Sequence, residues 1–250
     1  MTHPFSSLVS IGDSFTEGVG DELPDGRVRG WADLVALGLA QASTEPFGYA
    51  NLAIRGRLLE PIVTEQLDAA IALAPSLISI NGGGNDMLRP QFTIAAVAER
   101  LLAAVDRARE AGIHVLLLSG GNPSRHLPLG RGIERRGNEY ADAVLAHMPR
   151  EGVTFVDNWR DEELTRLEYW SVDKLHLNPV GHARVASNVL GALGVPVPEF
   201  GLDGGTPDQR PGTAAYWREY VLPWIGRRLR GTSSGDSREP KSATLQPVTF

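Results

Sequence analysis

The stretch Leu8-Val9-Ser10-Ile11-Gly12-Asp13-Ser14-Phe15-Thr16-Glu17-Gly18 decides how the rest of this chain is read. Its first four residues form a short apolar run, the pattern of a strand buried on both faces. A glycine-flanked turn follows at once. There the chain reverses sharply, and a serine hydroxyl and backbone N–H groups are held in the open. Further short apolar runs occur at 47–52, 77–80, 114–118 and 154–156. Helical patterns lie between and after them, at 31–40, 58–73, 93–111, 133–147 and 179–193. Gly112 stands just past the end of one helix, and Pro179 sits in the first turn of another. Strands alternating with helices read as βαβ units. The expectation is therefore an α/β, flavodoxin-like three-layer sandwich: a five-stranded parallel sheet, order 2-1-3-4-5, with helices on both faces.

Composition narrows the function classes. Thirty acidic against twenty-four basic residues leave a net charge of -6, which argues against nucleic acid, since phosphate neutralisation needs a basic face. The absence of cysteine excludes disulfides, thiolate metal sites and a cysteine nucleophile. No window approaches the length of a membrane span, and Met1 to Phe5 carries no basic segment leading into an apolar one. A cytoplasmic chain is expected. Residues 1–194 read as the main domain. Residues 195–230 follow as a proline- and glycine-rich connection and an appended helix at 213–230, with Tyr216, Trp217, Tyr220, Val221, Trp224, Ile225 and Leu229 at mostly helical spacing. That helix either packs its aromatic stripe on the domain or serves as a lid, dimer contact or membrane-surface element, with Arg227, Arg228 and Arg230 behind it. Residues 231–250 read as a disordered tail. Oligomeric state is not legible.

Open parallel sheets bind ligands outside the carboxyl ends of their strands, where strand order reverses. In the expected order that crevice lies between the first and third strands. Ser14 follows the first, and Asn81-Gly82-Gly83-Gly84-Asn85-Asp86 follows the third. Arg55-Gly56-Arg57 follows the second, so Ser14, Gly56 and Asn85 share one rim. Beyond the fifth strand, Asp173-Lys174-Leu175-His176 can set a carboxylate against one ring nitrogen while the other faces a serine.

With these four blocks in order, the chain resembles the SGNH branch of the GDSL esterase and lipase family. The resemblance spans most of residues 8 to 193. It implies a serine hydrolase cleaving carboxylic esters or thioesters of small or short-acyl substrates, with no cofactor or metal. It implies catalytic Ser14, Asp173 and His176, and an oxyanion hole of the Ser14 and Gly56 N–H groups and the Asn85 amide. The α/β-hydrolase elbow G-x-S-x-G is absent around Ser14. Arginines flank Gly56, and Leu177 stands where many members have proline.

Other candidates read less sharply. Asp13 is expected to rigidify the turn, and Asp86 to cap or support it. His182, on the last helix, is expected to be a packed or capping histidine. His126 lies in the loop after the fourth strand, where it could line the cleft. Arg55, Arg57 and Arg89 read as rim arginines, solvated or paired, with Glu60 in helical range of Arg57. One rival reading is a metal-dependent phosphoesterase gathering Asp13, Asn85, Asp86, His126 and His176. Another is a binding module that keeps the fold without catalysis.

Overall fold

The computed structural model describes residues 3–202, 211–223, 235 and 237–249. Five parallel strands, β1 (Ser7–Ile11), β2 (Gly48–Asn51), β3 (Leu77–Ile80), β4 (His114–Leu118) and β5 (Val153–Val156), form the sheet in the expected order 2-1-3-4-5. A sixth strand, β6 (Ser242–Pro247), pairs antiparallel with the outer edge of β2. This corrects the five-strand expectation and the reading of residues 231–250 as a tail without structure. β6 escapes pattern reading because its side chains are mostly exposed and it is held through its backbone. Val248 N–H donates to Phe47 C=O, and Lys241 Nζ meets Asp33 at 2.7 Å. A short strand ending in proline is a usual way to blunt a sheet edge.

The helices, in chain order, are α1 (Ser14–Glu17), α2 (Trp31–Gln41), α3 (Leu59–Pro61), α4 (Leu67–Ala72), α5 (Gly84–Met87), α6 (Ile94–Glu110), α7 (Gly130–Leu145), α8 (Pro179–Ala192) and α9 (Thr213–Tyr216). Strand side chains alternate between faces. Leu8, Leu77, Leu116 and Leu118 join a core with α2 and α8. Val9, Ile78, Val115 and Leu117 join a second core with α4, α6 and α7. Both faces are therefore covered, and the strands lack polar alternation for that reason. The single helix expected at 58–73 is interrupted by a π turn, Ile62–Gln66, between α3 and α4.

His182 is fully buried and fastens α8 to α2. Gly30 gives α2 no side-chain cap, so Trp31 N–H donates instead to His182 Nδ1 at 3.2 Å, while Nε2 donates to Val19 C=O at 3.2 Å. This is the packed, capping histidine expected. Burial pushes its pKa down to about 4. An unfolded histidine titrates near ~6.5, so on acidification the unfolded chain takes the proton first. The stability this ring contributes is complete above that pH and is lost between about 6.5 and 4. The loss is of order 3 kcal/mol for a shift of this size. His182→Gln keeps a donor and an acceptor but does not titrate. It is expected to flatten the fall in thermal midpoint between pH 6.5 and 4.5; parallel curves for the two proteins would show that His182 is not the sensor.

Candidate active site

β1 delivers the chain to Gly12, just past the strand, whose N–H donates to a side chain rather than to a neighbouring strand. Gln66, turned inward by the π turn, supplies that side chain. Its Oε1 accepts from Gly12 N–H at 2.8 Å and its Nε2 donates to Gly12 C=O at 3.1 Å. Asp13 then caps α1, accepting from Phe15 N–H at 3.1 Å, and Ser14 opens the helix. Ser14 thus sits on a turn fixed from both sides, at the carboxyl end of the sheet.

The loop before α8 brings His176 up to Ser14. His176 Nε2 lies 3.1 Å from Ser14 Oγ, and Nδ1 lies 2.5 Å from Asp173 Oδ2. A ring that donates Nδ1–H to Asp173 leaves Nε2 to accept from the serine hydroxyl. Asp173 Oδ1 also accepts from Ser171 Oγ and from the N–H groups of Leu175 and His176. Burial works against its charge, yet these bonds and the facing imidazole hold its carboxyl well below the usual carboxylate range. Burial likewise opposes a charged His176, but the Asp173 hydrogen bond and charge, with Asp13 adding to them, raise its pKa above the ordinary value. The loop is held to the first turn by a close approach at Gly20, with φ of +100°, where any Cβ would collide with Leu177 C=O.

Gly56 and Asn85 line the same pocket as Ser14, Asp173 and His176. Asn85 Nδ2 donates to Asp13 Oδ2 at 3.1 Å and to Arg57 C=O at 3.0 Å. Asp13 is therefore more than a turn former. It is buried, and burial pushes its pKa up to about 6, opposed by the Phe15 N–H bond and the nearby His176. Asp86 accepts from Leu59 N–H at 2.9 Å, which joins the loop after β3 to α3.

Arg55 is paired. Glu17, nearly buried, accepts from the Arg55 backbone N–H at 2.6 Å, from Nε at 2.8 Å and from Nη2 at 2.5 Å. That clamp fixes the Gly56 loop against α1, a task the sequence reading assigned to neither residue. Glu60 does not pair with Arg57 but with Arg100 of α6, which crosses it from another element. Arg89 lines the pocket. His126 does not line it: its Nε2 meets Thr165 C=O at 2.9 Å, away from His176. Among the described residues, no three His, Asp or Glu side chains gather as metal ligands would.

The model of the GDSL-like lipase/acylhydrolase family matches residues 10–184. The chain belongs to that family. Solved structures of lipases and related proteins share its fold. The lipase Lip_vut3 from a goat rumen metagenome is 18% identical, with a TM-score of 0.62 over 74% of this chain and 96% of its own. TesA is 26% identical, with a TM-score of 0.60 over 75% and 97%. The lipase/acylhydrolase from Enterococcus faecalis is 20% identical, with a TM-score of 0.58 over 78% and 99%. No curated protein matches the chain by sequence. Among the described residues, no helix of this GDSL-family chain is long and apolar enough to cross a membrane.

The family match ends before α9, yet α9 touches the site. Tyr216, almost fully buried, donates to Asp173 C=O at 3.0 Å, and Lys174 Nζ lies 4.3 Å from the centre of its ring. Lys174 has φ of +59°, a strained left-handed conformation between Asp173 and His176. Tyr216 therefore braces the turn that carries both residues. Trp224, Ile225, Leu229 and the arginines after them lie outside the described residues. Tyr216→Phe removes a bond worth about 1 kcal/mol. The expected result is a roughly fivefold lower kcat at unchanged KM, read from steady-state kinetics on a soluble ester. A change confined to thermal stability would mean that Tyr216 is packing alone.

Proposed function

We propose that this GDSL-family hydrolase cleaves carboxylic esters, thioesters included, through an acyl-serine intermediate. The observation that carries the reading is the His176 ring, bonded to Ser14 Oγ on one side and Asp173 on the other. His176 Nε2 takes the hydroxyl proton as Ser14 Oγ attacks the substrate carbonyl. Nδ1–H stays with Asp173, whose carboxylate stabilises the imidazolium. The carbonyl oxygen becomes an oxyanion facing the Ser14 and Gly56 N–H groups and the Asn85 amide. The C–O bond to the alcohol, or C–S bond to the thiol, then breaks, and the leaving group departs with the proton held on Nε2. Water attacks the acyl-serine in turn, with His176 again as base, and the acid is released with Ser14 restored.

Two details shape the oxyanion step. Both Asn85 amide hydrogens are engaged in the resting site, with Asp13 and Arg57 C=O. Contact with the oxyanion therefore requires one of those bonds to be shared or opened. α1 is a single turn, so backbone N–H groups rather than a long helix dipole supply the field.

Removing one oxyanion donor costs about 3 kcal/mol in comparable sites. Asn85→Ala is thus expected to lower kcat by about a hundred- to a thousandfold, with little change in KM; unaltered turnover would remove Asn85 from the oxyanion site. His176 must be neutral to act, and its pKa is raised, so activity should fall on acidification with a midpoint above ~6.5. Asp173→Asn takes away the group that raises it. The kcat/KM profile should then shift to lower pH while kcat drops by about 10⁴. A profile that does not move would separate Asp173 from His176.

A further inference from the structure

We infer that the enzyme acts on esters of unbranched medium-length fatty acids, and that the acyl chain lies in a buried pocket beneath α7. This deepens the reading of Ser14 as an acylated nucleophile and rests on it. The pocket that holds Ser14 and His176 does not stop at the rim. Its lining also takes in Gly82 and Gly84 and, in the core beside α6 and α7, Leu101, Leu117, Val144 and Phe155. Leu117, on β4, lies two residues before the pocket residue Ser119, which follows the strand, about 7 Å of extended chain. The cavity has a volume of about 340 Å³. That is near the lower end of the roughly 300–1,000 Å³ typical of small-molecule sites, so one slender chain fits and a bulky or two-chain acid does not.

The lining favours an apolar chain over a sugar or another polar acid. Apart from Arg89, also on the lining, whose buried Nε has no partner, the side-chain donors of the inner pocket are bonded within the protein. Tyr140 Oη donates to Gly82 C=O at 3.0 Å, Trp159 Nε1 to Asn138 Oδ1 at 2.7 Å, and Asn81 Nδ2 to Leu118 C=O at 3.0 Å. Ser119 Oγ donates to Asp157 Oδ1 at 3.0 Å. A hydroxylated guest would surrender its own hydrogen bonds to water with little replacement, whereas methylenes gain by entering. The shape is also fixed by close packing. Gly137 lets α7 lie directly on the Trp159 indole, where any Cβ would collide, and the Tyr140 bond ties the same helix to the loop after β3. α7 is thus a rigid roof, and Ala141, between Gly137 and Val144, leaves the space beneath it open.

The test is an acyl series of p-nitrophenyl esters, acetate, butyrate, octanoate and dodecanoate, on the full chain. Each methylene that enters the pocket should raise kcat/KM by about fourfold, the equivalent of ~0.8 kcal/mol. The rise should run through butyrate toward octanoate and stop once the pocket is full. Ala141→Leu is expected to lower the octanoate-to-acetate ratio at least tenfold. Val144→Ala opens the far end and is expected to raise the dodecanoate-to-octanoate ratio; it carries the test alone if Ala141→Leu does not fold. A flat series, or ratios unmoved in the folded variants, on an enzyme whose Ser14 is labelled by a fluorophosphonate would overturn the pocket and leave the nucleophile standing. Turnover that survives Ser14→Ala, with no labelling, would sink both.

Discussion

The turn after β1 has to leave the sheet without leaving its main-chain groups unpaired, and the site is organised around that demand. Buried N–H and C=O groups without partners are costly, and Gly12 lies where no neighbouring strand can serve it fully. Gln66 reaches in from the π turn to bind both of its groups. Glu17 and Asp13 finish the work at the next turn, binding the Arg55 and Phe15 N–H groups. The position of Ser14 is a consequence: it is the first side chain past a stretch of backbone bonded on every side. The interrupted helix between α3 and α4 belongs to the same arrangement, because a regular helix would present Gln66 differently.

Around this turn the charges are arranged asymmetrically. A buried carboxylate, Asp13, and a half-buried one, Asp173, act on one imidazole, but only Asp173 has enough donors to remain ionised well into acid. Asp13 has fewer donors, so burial leaves it titrating close to neutrality. Asp173 stays a fixed anion. Two carboxylates from distant loops thus differ through their environments alone.

Much of this was legible in the sequence. β1 to β5 fall where apolar runs without alternation placed them, because a strand buried on both faces leaves few polar residues to blur the signal. Ser14, Gly56, Asn85, Asp173 and His176 converge on one pocket, since a parallel sheet sends every strand's following loop to the same edge. The unread features all depend on pairs distant in sequence. Nothing near Glu60 marks Arg100 as its partner, and nothing near Asp173 foretells a tyrosine from α9. Gln66 stands in a helical pattern, where nothing marks it as the partner of Gly12. His126 lay in the right loop, but Thr165 claimed it from a short 3₁₀ turn, Glu163–Thr165, distant in sequence. β6 was missed because its exposed side chains carry no pattern and only its backbone is committed.

That last strand also sets an order of events. β2 is made well before β6, the strand that covers its outer edge. Until β6 emerges, β2 exposes a row of open hydrogen-bonding groups that another nascent chain can fill. The two strands lie far apart in sequence, so loop closure delays their contact relative to the local βαβ contacts. The sheet is thus assembled around the Ser14 turn first and covered at this edge later.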